Sequence, residues 1–438
     1  MEFKITEIGK MPSHWQVVSI EQIGDVVGGG TPSTKREDYY GGEVSWITPK
    51  DLSGHTKRKI SRGARNITEL GLNNSSARLL PKETVLLSSR APIGYVAIAD
   101  KEVSTNQGFK SIICDKNKIQ PIYLYYVLKE SKERLESVAT GSTFKEVSGS
   151  SVKKFEIALP PLNEQRIISR ILSSIDSKIE INQDIINNFE QLAQTLFKRW
   201  FVDFEFPNEN GDPYKSSGGE MVESELGMIP AGWKEGTLND IGAIVGGGTP
   251  SKKIDSYYTT QGYSWITPKD LSNDKSVYIF KGSLDITEEA LKKSSAKLHP
   301  TNTVLFSSRA PIGYVAIAGQ EVATNQGFKS IIPKKEVPSE YIYLLLKHLT
   351  PVIESNASGS TFKEISGAGM KGIKVVVPLK EILADYKSIV KPLFKKVKET
   401  EIENKSLTSL RDTLLPKLLS GEIELPNETE VTEDVPIS

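Results

Sequence analysis

"SSRAPIGYVAIA" stands at residues 88–99 and again, letter for letter, at residues 307–318. Working outward from this pair, "VGGGTPS" recurs at 27–33 and 245–251, and "SWITPKDLS" at 45–53 and 264–272. "TNQGFKSII" recurs at 105–113 and 324–332, and "GSTFKE" at 141–146 and 359–364. The order is kept and the offset is 218 or 219 throughout. Fainter echoes extend the repeat: Pro12 and Trp15 match Pro230 and Trp233, and Pro160 matches Pro378. A period this long is no solenoid, so each unit is domain-sized and the chain is a duplication.

Within each copy the signals are mixed. "TVLLSSRAPIGYVAIA" reads as short apolar strands around a Pro-Gly turn at Ala91–Gly94. "IYLYYVLKESKERLESV" (122–138) reads as a helix of about four turns. The expected fold class is α/β (α+β), with duplicated globules near residues 16–155 and 234–373.

A different texture follows each globule. Ile168, Leu172, Ile175, Ile179, Asn182, Ile186, Phe189, Ala193, Leu196 and Trp200 alternate steps of four and three, a heptad seam. The same spacing continues 218 residues on through Tyr386, Val390, Leu393, Val397, Thr400, Asn404, Leu407, Arg411, Leu414 and Leu418. Each helix then spans roughly 38 residues, or about 57 Å, and Pro392 is expected to interrupt and kink the second. So long an apolar stripe needs a cover, and each helix is the simplest partner for the other. Antiparallel pairing sets Asn182 opposite Asn404, a buried polar pair that fixes register; the plainer alternative leaves both near solvent. Such a coiled coil gives the chain pseudo-two-fold symmetry, with the globules at opposite ends. The expected segments are a first globule (1–155), a spacer helix (156–203), a linker and second globule (204–375), a second spacer helix (376–422) and an acidic disordered tail (423–438). The linker chemistry is concentrated in the polar, Gly-rich run 211–227.

The 438 residues balance 55 basic against 55 acidic side chains, so any basic surface is local or shared with a partner. A single cysteine, Cys114, excludes an intramolecular disulfide and reads as a core thiol in a reducing compartment. The four histidines have no zinc spacing. No stretch has the roughly 20 apolar residues of a membrane span, and the expected location is the cytoplasm. The Gly-rich block is followed by Pro32 or Pro250 and lacks the lysine of a phosphate loop. It reads as a turn, either one that approaches DNA or a structural one. Neither a nucleophile elbow nor an N-P-P-[FY] tetrapeptide of amino-methyltransferases is present, so no catalytic or metal-binding residue is assigned.

The repeated blocks carry Arg, Lys, Thr, Ser, Asn and Gln with few acids, the side chains that contact phosphates and base edges. The candidate DNA-binding residues are Lys35, Arg36, Lys50, Arg90, Lys110 and Lys145 in the first copy, and Lys252, Lys253, Lys269, Arg309, Lys329 and Lys363 in the second. For Arg90 and Arg309 the alternative is an ion pair within the domain. Residues 54–70 carry Lys57, Arg58, Lys59, Arg62 and Arg65, whereas the matching 273–290 is far less basic, so these segments are where the copies could read differently.

Taken together, Gly-Gly-Thr-Pro-Ser at 29–33 and 247–251, "SSRAPIG", "NQGF" and "LPPLNEQRIISRI" at 159–171 resemble the specificity (S) subunit of Type I restriction–modification systems. The second copy departs at 377–389, "VPLKEILADYKSI", where the Glu-Gln pair is missing. The resemblance covers nearly the whole chain. It implies two target recognition domains, each reading half of an interrupted site on double-stranded DNA, separated by the spacer helices. It implies two modification subunits that bind S-adenosylmethionine and methylate adenine, and restriction subunits that use ATP and Mg, with no cofactor held by this chain. A fused methyltransferase–specificity enzyme and a non-catalytic coiled-coil scaffold with duplicated adaptor domains are the competing readings.

Overall fold

A computed structural model describes residues 2–141, 145–309, 311–359 and 363–425; the expected acidic tail lies outside the described residues from 426 onward. The chain forms two compact units, residues 1–181 with 405–438, and residues 182–404. Each unit holds one α+β body and half of each long helix.

In the first unit, the strand Lys110–Cys114 pairs antiparallel with Gly24–Gly28 on one side and Val85–Leu87 on the other. Val85–Leu87 pairs antiparallel with Val96–Ala99, which takes Lys59–Ile60 as a short parallel neighbour. These strands read as apolar runs because both faces are covered: Leu86, Ala97 and Phe109 face one cluster, and Val85, Leu87 and Ile112 face another. Pro121 opens a helix at a position that needs no amide. That helix seats Tyr123, Leu124, Tyr126 and Leu128 against the sheet. The single helix expected over 122–138 is in fact two, Pro121–Glu130 and Lys132–Ser137, broken at Ser131. The second unit repeats the sheet strand for strand, with Lys329–Pro333 between Gly242–Gly246 and Val304–Ser308, then Ile312–Ala318 and Tyr278–Ile279. Its helix Ser339–Ser355 is unbroken.

The long helices are Leu162–Phe197 and Lys380–Leu419. Pro392 lies inside the second and does not interrupt it. In the first unit, Ile168 and Leu172 share a core with Leu415 and Leu418, while Asp176 meets Arg411 at 2.9 Å. In the second, Asn182 meets Asn404 at 2.9 Å, while Trp200 packs on Tyr386 at 5.6 Å. In both, rising numbers on one helix meet falling numbers on the other, so the halves are antiparallel.

The buried face is wider than the heptad seam. Ile175 and Ile179 are only half-buried, while Asp176, off the seam, is 4% exposed. The reason is that the body of the unit packs on the helices as well: Tyr126 donates to Asp176 at 2.7 Å, and the backbone N–H of Arg58 donates to Glu180 at 2.7 Å.

The run 211–227 is more than a linker. Met221–Ser224 and Gly227–Pro230 form a hairpin, and the first copy has its equivalent in Phe3–Thr6 and Gly9–Pro12. Both turn at a glycine with positive φ, 93° at Gly227 and 118° at Gly9. The repeat thus begins earlier than the quoted blocks, hidden because short polar strands keep pattern rather than letters. Ahead of the hairpin, Tyr214 stacks on Phe206 at 4.5 Å, and Phe206 on Trp233 at 5.1 Å.

The Glu-Gln pair of the first copy has a structural task. Trp15 donates its indole N–H to Glu164 at 2.8 Å. Gln165 accepts from the Gln120 amide at 2.9 Å and donates to Pro160 and Lys118 carbonyls. In the second copy Ile382 and Leu383 stand there, and the Trp233 indole N–H has no partner among the described residues. The Phe204, Phe206 and Tyr214 cluster around it replaces a hydrogen bond with aromatic packing. Cys114 sits half-buried, and burial pushes its thiol up to about 12.

Candidate nucleic-acid interface

Four of the repeated blocks converge at one end of each sheet. Lys110 begins its strand opposite Gly28. The Ser89 amide donates to Gly108 at 2.7 Å, and the Val147 amide to Ser89 at 2.9 Å. In the second copy Lys329 lies opposite Gly246, Ser308 donates to Gly327 at 2.7 Å, and Ile365 to Ser308 at 3.1 Å. The Gly-rich turn, the N-Q-G-F loop, the S-S-R turn and the segment ending in Glu146 or Glu364 are therefore neighbours.

The glycines are needed for packing. A Cβ on Gly29 would sit 2.0 Å from the Asn106 carbonyl oxygen, and one on Gly247 2.1 Å from that of Asn325. The next carbonyl, of Gly30 or Gly248, accepts the indole N–H of Trp46 or Trp265 at 3.0 Å. Gly29→Ala is expected to destabilise the protein by about 3 kcal/mol, because the methyl must displace backbone. Gly28→Ala, where a Cβ meets nothing within 4 Å, should cost under about 1 kcal/mol. Thermal melts of the two variants check the contrast.

The serines of S-S-R staple their own turn: Ser88 donates to the Pro92 carbonyl at 2.7 Å, and Ser307 to Pro311 at 2.9 Å. In "SWITPKDLS", Thr48 and Asp51 form a capping box, and the second Asp51 oxygen accepts the Ala64 amide at 2.8 Å. Asp270 does the same for Ser283 at 2.9 Å. The repeated frame thereby grips the divergent segments at one point.

Lys50, Lys145, Lys269 and Lys363 are exposed, as are Lys35, Lys252 and Lys253. Arg36 is exposed too, pairs with Asp38 at 2.6 Å and lies over the Tyr39 ring. Thr31 and Thr249 donate to the exposed amides of Gln107 and Gln326 at the loop tips. Arg90 and Lys110 both turn to Glu146, at 3.2 and 3.1 Å; Arg309 and Lys329 both turn to Glu364, at 3.4 and 3.3 Å. Burial of Glu146 opposes its ionisation most, but the hydrogen bond and charge of Lys110, with Arg90, outweigh it and hold the carboxyl below the ordinary range. Sequence reasoning passed over both glutamates. The available signal was that the acid recurs at the end of the repeated block "GSTFKE" in both copies.

The basic segment 54–70 is not a uniformly solvated patch. Arg58 reaches Glu180 at 3.2 Å and Ser177 at 2.6 Å, so it fastens the body to the first long helix. At the matching point of the second copy, the amides of Val277 and Tyr278 donate to Glu401 at 2.6 and 3.0 Å. Arg65 lies 3.6 Å over the Tyr40 ring. Asn182 donates to both Asn404 and Glu403 at 2.9 Å. Among the described residues no group of His, Cys, Asp or Glu could hold a metal, and no helix is long and apolar enough to cross a membrane.

The family profile described as "Type I restriction modification DNA specificity domain" matches residues 12–191 and again 230–411. The chain is 38% identical over 440 residues to the specificity subunit of the Type I restriction enzyme MjaIX of Methanocaldococcus jannaschii, covering 97% of each. It is 29% identical over 429 residues to the HindI specificity subunit of Haemophilus influenzae, covering 85% of this chain and 89% of that one. The crystal structure of a Type I restriction–modification S subunit from M. genitalium matches with a TM-score of 0.62 at 20% identity, covering 94% of this chain and 96% of that one. At that identity the structural likeness speaks for the fold.

Proposed function

Because the chain belongs to the Type I restriction–modification DNA specificity family, where it is a specificity subunit, we propose how it reads DNA. Each α+β body (within residues 1–155 and 204–375) contacts one half of an interrupted target on double-stranded DNA. The helical segments 156–203 and 376–422 hold the halves apart, and Asn182 with Asn404 sets their register. The spacer docks two modification subunits that methylate adenine from S-adenosylmethionine, and restriction subunits that consume ATP with Mg. This chain makes no bond itself, holds no cofactor, and works in the cytoplasm.

The observation that carries this reading is the doubled site. The same Arg, Lys and Gln side chains, on the same turns, sit at the same end of both sheets. Lys35, Lys50, Lys145, Lys252, Lys253, Lys269 and Lys363 are suited to phosphates. Arg36, Lys110 and Lys329 are further phosphate candidates, and Arg90 and Arg309 are candidates for phosphate or guanine. Two like readers call for two like half-sites in inverted orientation, with centres about 34–36 Å apart.

The test is methylation-sensitive sequencing of a genome modified by the complex. The expected motif is interrupted and nearly palindromic. Exchanging residues 54–70 with 273–290 should move any asymmetry between the halves. Unrelated half-sites would undo the like-reader reading, and an asymmetric motif unchanged by the exchange would place specificity in Lys35–Tyr40 and Lys252–Tyr258 instead. A salt-dependent footprint of the complex separates all of this from a scaffold without DNA contact.

A further inference from the structure

The acid that sequence reasoning missed has a function of its own. Within a surface taken to bind a polyanion, each body places one carboxylate between its two best-positioned cations. The arrangement is repeated within a few tenths of an ångström: 3.2 and 3.1 Å in the first copy, 3.4 and 3.3 Å in the second. The lysines are the buried members, 17% and 16% exposed, while Glu146 and Glu364 keep 33% and 36% exposure. A carboxylate so exposed can swing into water; the lysine ammonium cannot follow. Each cluster therefore carries one anchored positive charge, on the lysine, and a guanidinium and a carboxylate of like exposure that can part from each other.

We propose that Glu146 and Glu364 are tethered stand-ins for a DNA phosphate. In the free protein each carboxylate occupies the anion seat between the guanidinium and the ammonium. On a correct half-site, contacts to the bases make it favourable for a backbone phosphate to displace the carboxylate. On other sequences the seat stays filled, and the phosphate gains little because an anion already holds the place. The two glutamates are positioning residues: they keep Arg90 and Arg309 aimed, and they lower the sequence-independent attraction that phosphate contacts supply. This inference rests on the DNA-reading function proposed above. It explains why the acid is repeated together with the two cations it neutralises.

The experiment uses the full chain assembled with its modification subunits. Binding of a target duplex and of a scrambled duplex is measured by fluorescence anisotropy across a potassium chloride series. In the double variant Glu146→Gln with Glu364→Gln, the seats are empty of charge. Scrambled-duplex affinity should rise about 3- to 10-fold, and the log–log salt slope should steepen by about 1.8, one cation per body at about 0.9 each. The ratio of target to scrambled affinity should fall by the same factor. Glu146→Asp with Glu364→Asp keeps the charge but is too short to bridge both cations, so an intermediate slope is expected. It also decides the matter if the glutamine variant does not fold. A wild-type slope in the folded variants, or lost target affinity with an unchanged slope, overturns the inference and makes the glutamates fold supports or direct base contacts. A wild-type complex that does not prefer its target duplex overturns the underlying function instead.

Discussion

Removing both guanidinium groups, Arg90→Ala with Arg309→Ala, is expected to weaken binding of the target duplex by roughly 100-fold or more. A well-made arginine contact to DNA contributes about 1–3 kcal/mol, and the proposed function assigns one such contact to each body. The loss should exceed that from Arg36→Ala. Arg36 is exposed and already paired with Asp38, so its removal should change target binding far less. Removing one arginine should weaken reading of one half-site only, which a methylation map of degenerate targets resolves. If the double variant binds the target as tightly as wild type while its melting temperature falls, the Arg–Glu–Lys clusters are internal braces and the DNA surface lies elsewhere.

The largest stability effect is expected inside the first unit. Asp176 pairs with Arg411 at 2.9 Å and accepts the Tyr126 hydroxyl at 2.7 Å, with side-chain exposures of 6% for Asp176 and 16% for Arg411. Burial, with the neighbouring Asp176 charge, pushes the Tyr126 phenol well up, so it stays a neutral donor. Arg411→Met leaves a buried carboxylate without its cation and should cost about 3–5 kcal/mol. The second unit shows that the polar network is replaceable. At the equivalent positions, 218 residues away, Asp176 becomes Phe394, Tyr126 becomes Leu344 and Arg411 becomes Ala193, all buried. In a Tyr126→Phe background, which leaves no buried hydroxyl unpaired, the double variant Asp176→Leu with Arg411→Met should therefore recover most of the loss, because the desolvation of two charges is removed together with their attraction. Chemical denaturation of wild type, both single variants and the double variant reads the coupling. Additive losses would mean that the pair is solvated and contributes little.

Much of this protein was legible in its letters. The duplication, the α+β class, the strands flanking the S-S-R turn and the two amphipathic helices all depend on local periodicity or on direct repetition. The Asn182 and Asn404 positions could be read because a polar residue in an apolar seam stands out against its neighbours. The family resemblance followed because the blocks that carry it hold the turns of the domain, and turn chemistry leaves little freedom to the sequence. The helix break at Ser131 was not legible, since the periodicity runs through it. Nor was the hairpin of 221–230, whose strands pair by register while their letters diverge from those of 3–12.

The sequence by itself determined how many copies there are, which residues recur, and that the seam helices need a partner. Only the tertiary structure decided which charges meet. Arg90, Lys110 and Glu146 are separated by 20 and 36 residues in the chain, and Arg58 and Glu180 by 122. An ion pair has no period and leaves no local pattern, so the same lysine or arginine reads alike whether it faces solvent, a helix or an acid. Asp176 stands one step off the seam, where the heptad pattern assigns no burial, and it is buried because the body of its unit covers the helix pair from the side. Burial is a property of the assembled layers, and it separates exposed cations such as Lys50 and Lys269 from Arg58, which fastens the body to a long helix.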